Sequence, residues 1–184
     1  MKKKITLAVI CAVLSCVCLI GTTFAWLTDS TDPITNTFTV GDIEITLAET
    51  TGTSYKMVPG ATISKNPKVT VLGDSEDCYL FIKIDETNNT FDTNKKFVEY
   101  VIAAGWTALS GEDGVYYRTV ANSADDQGFP VLLNDQVTIN TAATATHLEA
   151  AETNKPTLSF TAYAVQQLGF DDAADAWAVV DPTP

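Results

Sequence analysis

Short segments in which apolar and polar residues alternate recur along most of this chain, and they restrict its fold more than any other feature. A period of two that is rich in Thr, Val and Ile is typical of β-strands with one buried face. Turn residues separate the segments, and many short strands divided by turns predict an all-β protein, a β-sandwich. Strands are expected within residues 37–47, 68–72, 79–85, 106–109, 115–120, 131–133, 137–139 and 158–166.

The alternation also predicts which residues of the early strands are buried. Ile43, Ile45 and Leu47 alternate with polar residues and are expected to share one face of the first strand. Val69 and Val71 have the same spacing, and we expect both to point into the core.

The most apolar segment, residues 79–85, is predicted to be a central strand. Cys78 begins this segment and is the one cysteine outside the first 25 residues, so no internal disulfide is expected downstream of them. Cys78 is interpreted as a small buried core residue, with a reactive or intermolecular thiol as the alternative. For an exported chain, the absence of a disulfide favours a bacterium with a single membrane.

The segments between the strands are predicted from turn chemistry. Pro59-Gly60 is expected to form a turn, residues 86–95 a loop, and residues 110–114 the turn of a hairpin. Residues 97–104 are predicted to form a short helix or a strand. Residues 142–151 are interpreted as an Ala-rich connection with one or two helical turns.

The end of the chain changes from a strand period to a helix period. Asp171 or Asp172 is expected to cap a short helix, and Pro182 to end it. Trp177 is predicted to be a core anchor that packs this helix over one end of the sandwich. The residues with helical spacing are Ala173, Ala174, Trp177 and Val180.

The N-terminus has the pattern of a secretory signal peptide. Three lysines precede the apolar run 5–20, and small residues follow, so cleavage is predicted between Ala25 and Trp26. An uncleaved anchor is one alternative, because the apolar run approaches the about 20 residues that span a bilayer. A lipoprotein attached through Cys16 is another.

These assignments divide the chain into three parts. Residues 1–25 are the predicted signal peptide, residues 26–40 an N-terminal arm, and residues 41–184 the β-sandwich domain. The whole chain has 11 basic and 23 acidic residues, a formal net charge of −12. Removing the signal peptide takes away three lysines and no acid, which leaves a net charge of −15. This charge argues against a nucleic-acid partner, because phosphates would repel the protein.

The sequence offers little material for catalysis, and no enzyme activity is predicted. His147 is the only histidine, so the His-Glu-x-x-His zinc motif is absent, and no Gly-x-Ser-x-Gly nucleophile motif occurs. His147 is interpreted as a surface or loop residue. No cofactor is expected, although the oxygen-rich segments 29–32, 85–92 and 171–172 leave calcium binding as an alternative to simple solvation.

Several segments together resemble the TasA/camelysin family. The first matching segments are the end of the leader, Gly21-Thr22-Thr23-Phe24-Ala25, and the residues that follow it, Trp26-Leu27-Thr28-Asp29. Further matches are Asn36-Thr37-Phe38-Thr39-Val40-Gly41-Asp42-Ile43, Val58-Pro59-Gly60, Cys78-Tyr79-Leu80-Phe81-Ile82-Lys83 and Phe160-Thr161-Ala162-Tyr163-Ala164-Val165-Gln166.

The resemblance implies a jelly-roll-like subunit that is exported by a Gram-positive bacterium and polymerises with itself into fibres of the biofilm matrix. It also implies a leader that a SipW-like signal peptidase removes, so the membrane would be contacted only through the leader before cleavage. Camelysin-like proteins carry a metallopeptidase label, which the single histidine of this chain does not support. A monomeric secreted or cell-surface adhesion module without catalytic activity is the alternative function.

The resemblance further implies that the freed N-terminal segment inserts as a donor strand into the next subunit. The arm from Trp26 to Val40 spans about 50 Å when extended at about 3.3 Å per residue, and a domain of this size has a diameter of about 40 Å. The arm is therefore long enough to reach a neighbour. Ile34, Phe38 and Val40 are spaced for one face and are the candidate donor residues. The alternative is that residues 37–47 form an ordinary first strand of their own domain.

Overall fold

The computed structural model describes residues 42–180, so the predicted leader and arm and residues 181–184 lie outside the described part. Within that range the strands are short and antiparallel, which confirms the all-β class. The strands are β1 (Ile45–Ala48), β2 (Thr62–Ser64), β3 (Lys68–Val71), β4 (Cys78–Thr87), β5 (Thr90–Phe91), β6 (Lys95–Lys96), β7 (Val98–Glu99), β8 (Thr107–Ala108), β9 (Val115–Val120), β10 (Gln127–Pro130), β11 (Gln136–Ile139) and β12 (Thr157–Gln166). The helices are α1 (Ala145–Thr153) and α2 (Ala173–Val180), and Leu133–Asp135 form a 3₁₀ turn.

The main sheet has the strand order β12-β4-β9-β8. Its long central pair sets Phe81 of β4 opposite Tyr163 of β12, and β9 places Tyr117 on the other side of Phe81. β4 is buried on both faces from Cys78 to Ile82, which explains why its sequence is a continuous apolar run. The prediction of a central strand over 79–85 is confirmed.

The second layer of the sandwich consists of the sheets β1-β3-β10 and β2-β11-β7. Val69 and Val71 of β3 are 0% and 2% exposed and pack with Leu80 and Ile82 from the inner face of the main sheet. Their predicted inward orientation is confirmed. Val137 of β11 joins the same core, so one apolar cluster connects all three sheets.

The outer face of the main sheet is covered by α2. Trp177 lies 5.1 Å from the ring of Phe81 and 5.3 Å, edge-on, from the ring of Tyr163. The predicted cap is confirmed, because Asp172 accepts hydrogen bonds at its Oδ1 from the backbone N–H groups of Ala174 and Asp175. Trp177 is 3% exposed, so its predicted role as a core anchor is confirmed, but it packs on the face of the main sheet, against Phe81 and Tyr163, and not over one end of the sandwich.

Other residue placements differ from the sequence-based predictions for local reasons. Ala174 is exposed, because Ala173, Ala176 and Trp177 form the buried stripe of α2. Ile45 and Leu47 of β1 lie opposite the inward-facing Val71 and Val69, so they share one face as predicted, but Leu47 is 38% exposed because β1 is at the end of its sheet among the described residues.

Some predicted boundaries also move. Residues 86–95 are not simply a loop, because β4 continues to Thr87 and β5 and β6 form a small hairpin. Asn88, Asp92 and Asn94 adopt positive φ values in its turns, which asparagine and aspartate tolerate better than most residues. Residues 131–133 are not a strand, since β10 ends at Pro130 and the 3₁₀ turn begins at Leu133.

The remaining connections follow the sequence more closely. Residues 97–104 contain β7 and an isolated bridge from Ile102 to Leu132, so the strand alternative holds. The hairpin of β8 and β9 is confirmed, with Thr107 opposite Tyr117. The turn at Pro59-Gly60 is confirmed. Residues 142–151 contain a longer helix than predicted, because α1 runs from Ala145 to Thr153.

Candidate functional site

A cleft of about 820 Å³ opens between the second layer of the sandwich and the start of β12. Its walls come from the loop 53–58, from α1 and from residues 157–159. We call this space the cleft.

The floor of the cleft is apolar because strand alternation directs several hydrophobic side chains to the same side. Val137 and Ile139 are two residues apart in β11 and therefore share a face. Ile63 from β2, Val98 from β7 and Leu158 from β12 complete the floor. The cleft thus offers neighbouring apolar positions on adjacent strands.

One strand edge beside the cleft is open. β12 pairs with β4 along its whole length, and within residues 42–180 no strand pairs with its other edge. Thr157, Leu158 and Ser159 of this edge line the cleft. An unpaired edge presents backbone N–H and C=O groups that can pair with an added strand.

A buried ion pair fixes the loop that forms one wall. Lys65 is 8% exposed, and its Nζ lies 2.9 Å from both carboxylate oxygens of Glu49. The same Nζ lies 5.7 Å from the ring of Tyr55 and 5.2 Å from the ring of Phe160. The Tyr55 hydroxyl lies within hydrogen-bond distance of the backbone carbonyls of Thr51 and Gly52 and donates its one hydrogen to this pair, which closes the loop on itself. These residues were missed by the sequence analysis, because Glu49 and Lys65 are 16 positions apart and no local pattern joins them.

His147 positions α1, the second wall of the cleft. Its backbone N–H donates to Thr144 Oγ1 at 3.5 Å, and the Thr144 N–H donates to His147 Nδ1 at 3.2 Å. Its Nε2 lies 3.4 Å from Asp92, and its ring lies 4.8 Å from the ring of Phe91. His147 is a surface residue, as predicted, with a side chain 27% exposed, but it lies in the first turn of a helix that it reciprocally caps and not in a loop.

A second polar cluster joins the end of β4 to the β5–β6 hairpin. Glu86 Oε1 accepts from Lys96 Nζ and from the Tyr100 hydroxyl, both at 2.6 Å, and Oε2 accepts from Asn89 at 2.8 Å. Burial raises the pKa of Glu86, but these hydrogen bonds and the charge of Lys96 outweigh it and hold the pKa below its ordinary value. Burial and the neighbouring carboxylate raise the pKa of Tyr100. Every oxygen of Glu86 has a partner, so the cluster acts as a structural tie.

Two carboxylates of the candidate calcium segments already have partners within the subunit. Glu86, of segment 85–92, belongs to the polar cluster described above, and Asp172, of segment 171–172, caps the N-terminus of α2.

The candidate thiol, Cys78, lies in the core. Cys78 is fully buried, as predicted, and burial together with the charge of Asp77 raises the pKa of its thiol to about 11. A thiol with this pKa stays protonated at neutral pH and is a poor nucleophile.

The predicted cleavage site and donor residues belong to another part of the chain. Ala25, Trp26, Ile34, Phe38 and Val40 all lie outside the described residues.

Within residues 42–180, no group of three or more His, Cys, Asp or Glu side chains is arranged to hold a metal ion. The sole histidine uses both ring nitrogens in contacts with Thr144 and Asp92. The described residues therefore do not fit a zinc-peptidase centre, which needs at least three protein ligands and an open position. Over the same range no helix is long and apolar enough to span a membrane.

Comparisons with known proteins agree with the sequence resemblance. The family model described as camelysin metallo-endopeptidase matches residues 1–167, which leaves α2 beyond the matched region. No curated protein and no solved structure matches the chain. Because the family model covers most of its length, the chain belongs to the camelysin metallo-endopeptidase family, which includes TasA-like proteins.

Proposed function

We propose that this chain is a secreted structural subunit without catalytic activity that assembles into fibres of the extracellular matrix. In this proposal, the arm 26–40 of one copy adds as a strand beside β12 of the next copy and fills its cleft. The observation that carries the proposal is the open β12 edge beside an apolar floor. Family membership supports an extracellular or cell-surface location.

The side chains of the arm suit the floor of the cleft. Ile34, Phe38 and Val40 are separated by even numbers of residues, so an extended arm presents all three on one face. The floor residues also lie on one face of neighbouring strands. Strand addition provides affinity through backbone hydrogen bonds and specificity through alternate side chains.

The charges at the cleft favour the same occupant. Lys56 and Lys155 line the cleft together with the Glu49-paired Lys65, whereas Glu152 is the only acidic residue of the lining. The arm carries Asp29 and Asp32 and no basic residue. An acidic arm therefore meets a basic lining in a protein that is acidic as a whole, which is the complementarity expected of a specific contact.

The remaining parts of the proposal concern export. A SipW-like peptidase would cleave between Ala25 and Trp26 and free the arm, and the mature chain would lie in the matrix or on the surface of a Gram-positive cell. We propose no cofactor, and calcium remains a secondary possibility through the oxygen-rich segments.

Two defective variants test the mechanism directly. A chain that starts at Gly41 keeps the cleft but cannot donate a strand. A chain that starts at Trp26 with Ile63→Glu keeps the arm but places a carboxylate on the cleft floor. The matched control is Thr62→Glu, because Thr62 is exposed and its neighbour Ile63 points the other way.

We expect the unaltered chain from Trp26 and the Thr62→Glu control to form filaments visible by negative staining. Each defective variant should remain dispersed alone, and mixing the two should give one-to-one dimers by light scattering. Filaments from the chain that starts at Gly41 would contradict strand donation. Dispersed monomers of the unaltered chain at high concentration would instead favour the monomeric adhesion module.

A further inference from the structure

The only arginine of the chain has an unusual environment in the described structure. Arg118 lies on β9, and its guanidinium carbon is 3.8 Å from the ring centre of Phe129 on β10 and 5.5 Å from that of Trp106. Gly105 lies against the terminal nitrogens, where an added Cβ would be 3.2 and 3.3 Å from them. The guanidinium plane is therefore held in place by ring contacts and by the absence of a side chain at residue 105.

A second cation, Lys68 of β3, lies against the other face of β10. The side chain of Lys68 crosses Gly128 of β10, where any Cβ would collide with its terminal atoms. Gly128 and Phe129 are adjacent in an extended strand, so their side-chain positions point to opposite faces. Lys68 and Arg118 thus flank β10, each beside a glycine that makes room for it. We call this arrangement the β10 rim.

The two cations lack acidic partners in the part of the chain that the structure describes. Between residues 42 and 180, no carboxylate lies within 4.0 Å of Lys68 or Arg118. The Nε of Arg118 is buried and has no hydrogen-bond partner there. The whole chain has 23 acidic and 11 basic residues, so unpaired cations are not explained by a shortage of carboxylates.

We propose that the β10 rim binds an oxyanion from outside the chain, a phosphate or carboxylate group. The buried Nε leaves the two terminal nitrogens as the donors, and a planar guanidinium suits two parallel hydrogen bonds to such a group. Contact with Phe129 and Gly105 has already restricted the side chain, so binding sacrifices less conformational entropy. Lys68, across β10 from Arg118, adds positive charge near the site and is not required to contact the same group.

The strong overall negative charge does not prevent this local attraction. Burial lowers the pKa of the Arg118 guanidinium, yet an arginine remains charged at neutral pH. At physiological salt the Debye length is about 8 Å, so carboxylates farther away are screened more than a directly bound group. The site is independent of the cleft and of strand donation.

A purely structural role makes a different prediction. In that case Arg118 only fills the gap between β9 and β10 through its ring contacts, and its nitrogens would respond to no anion. Binding must therefore be measured together with folding.

The test uses the chain that starts at Trp26, at concentrations where light scattering shows monomers. Because Arg118 is the only arginine, its side-chain N–H groups give an unambiguous nitrogen-15 NMR signal. Inorganic phosphate and acetate are titrated as simple probes, and polyphosphate and polygalacturonate as polymers carrying the same groups. We expect a saturable shift of the Arg118 signal with at least one phosphate or carboxylate probe.

Variants connect that signal to affinity. Arg118→Gln should weaken binding by about 10- to 100-fold, the range for a lost charge-assisted hydrogen bond, and Lys68→Gln by a smaller factor. Lys95→Gln removes the same charge at an exposed position away from β10 and should bind like the unaltered chain. Arg118→Lys keeps the charge without the planar donors, and its melting curve shows whether lost affinity reflects lost folding. Absence of a saturable shift with every probe, or equal affinity for Arg118→Gln and Lys95→Gln when both are folded, would overturn the proposal.

Discussion

The outer face of the main sheet and the cleft beside β12 are both apolar, but the described chain leaves Ile63, Val98 and Leu158 of the cleft partly exposed. On the outer face, α2 places Trp177 against Phe81 and Tyr163, and Phe81 is fully buried. At the cleft, the apolar floor and the β12 edge have no covering strand among residues 42–180. One region is completed within the subunit, and the other is the place where we propose that a second chain binds.

This difference separates residues that stabilise the subunit from residues that we propose join subunits. Substitutions on the outer face should lower the free energy of unfolding and leave the residues that line the cleft unchanged. Substitutions at the cleft should have smaller effects on stability and larger effects on assembly. The free energy of unfolding of single variants therefore distinguishes the two groups of residues.

The largest expected effect concerns Phe81 on the covered face. Phe81→Ala should lower the free energy of unfolding by about 3–5 kcal/mol, because it removes a buried ring and leaves a cavity against Trp177. Urea denaturation measures this change. Val179→Ala, at an exposed position of α2, should change stability by less than about 0.5 kcal/mol. A loss below about 1 kcal/mol for Phe81→Ala would mean that α2 does not cover this face in solution.

The second prediction concerns the ion pair at the wall of the cleft. Lys65→Met should cost about 1–3 kcal/mol, because it leaves the partly buried Glu49 carboxylate without its partner. Glu49→Leu combined with Lys65→Met should recover part of the loss, since no unpaired charge then remains. A double-mutant cycle by urea denaturation measures the coupling.

Lys155→Met is the matched control for that cycle, because Lys155 is an exposed lysine of the same cleft. It should change stability by less than about 0.5 kcal/mol. Equal losses for Lys155→Met and Lys65→Met would show that the ion pair does not fix the loop.

The covered face was largely predictable from sequence, and the cleft was not. The continuous apolar run of β4 and the helical spacing around Trp177 are local patterns, and both predicted buried elements correctly. The position of Trp177 on the sheet face depends on Phe81 and Tyr163, which lie far from it in sequence. Local periodicity cannot specify such a contact.

The cleft depends on features that leave weaker local signals. Its α1 wall is capped by Thr144 and His147, whereas the usual capping box has Glu or Gln at the histidine position. Its other wall depends on the distant pair Glu49 and Lys65. The open edge of β12 is a property of sheet order, which no single segment encodes.

The smallest expected effect concerns Glu86, at the tie between β4 and the hairpin that contacts α1. Its pKa is lower in the folded protein than its ordinary value, so ionised Glu86 stabilises the fold above about pH 4.5. That contribution should be lost as the pH falls through the lowered folded-state pKa. The stability difference between the unaltered chain and Glu86→Gln should therefore be positive at pH 7 and shrink on acidification, as measured by urea denaturation between pH 7 and 3. Glu149→Gln makes the same charge change at an exposed position of α1, and its stability difference should depend less on pH. If the stability differences of the two variants changed identically with pH, the hydrogen bonds of Glu86 would not be a source of acid sensitivity.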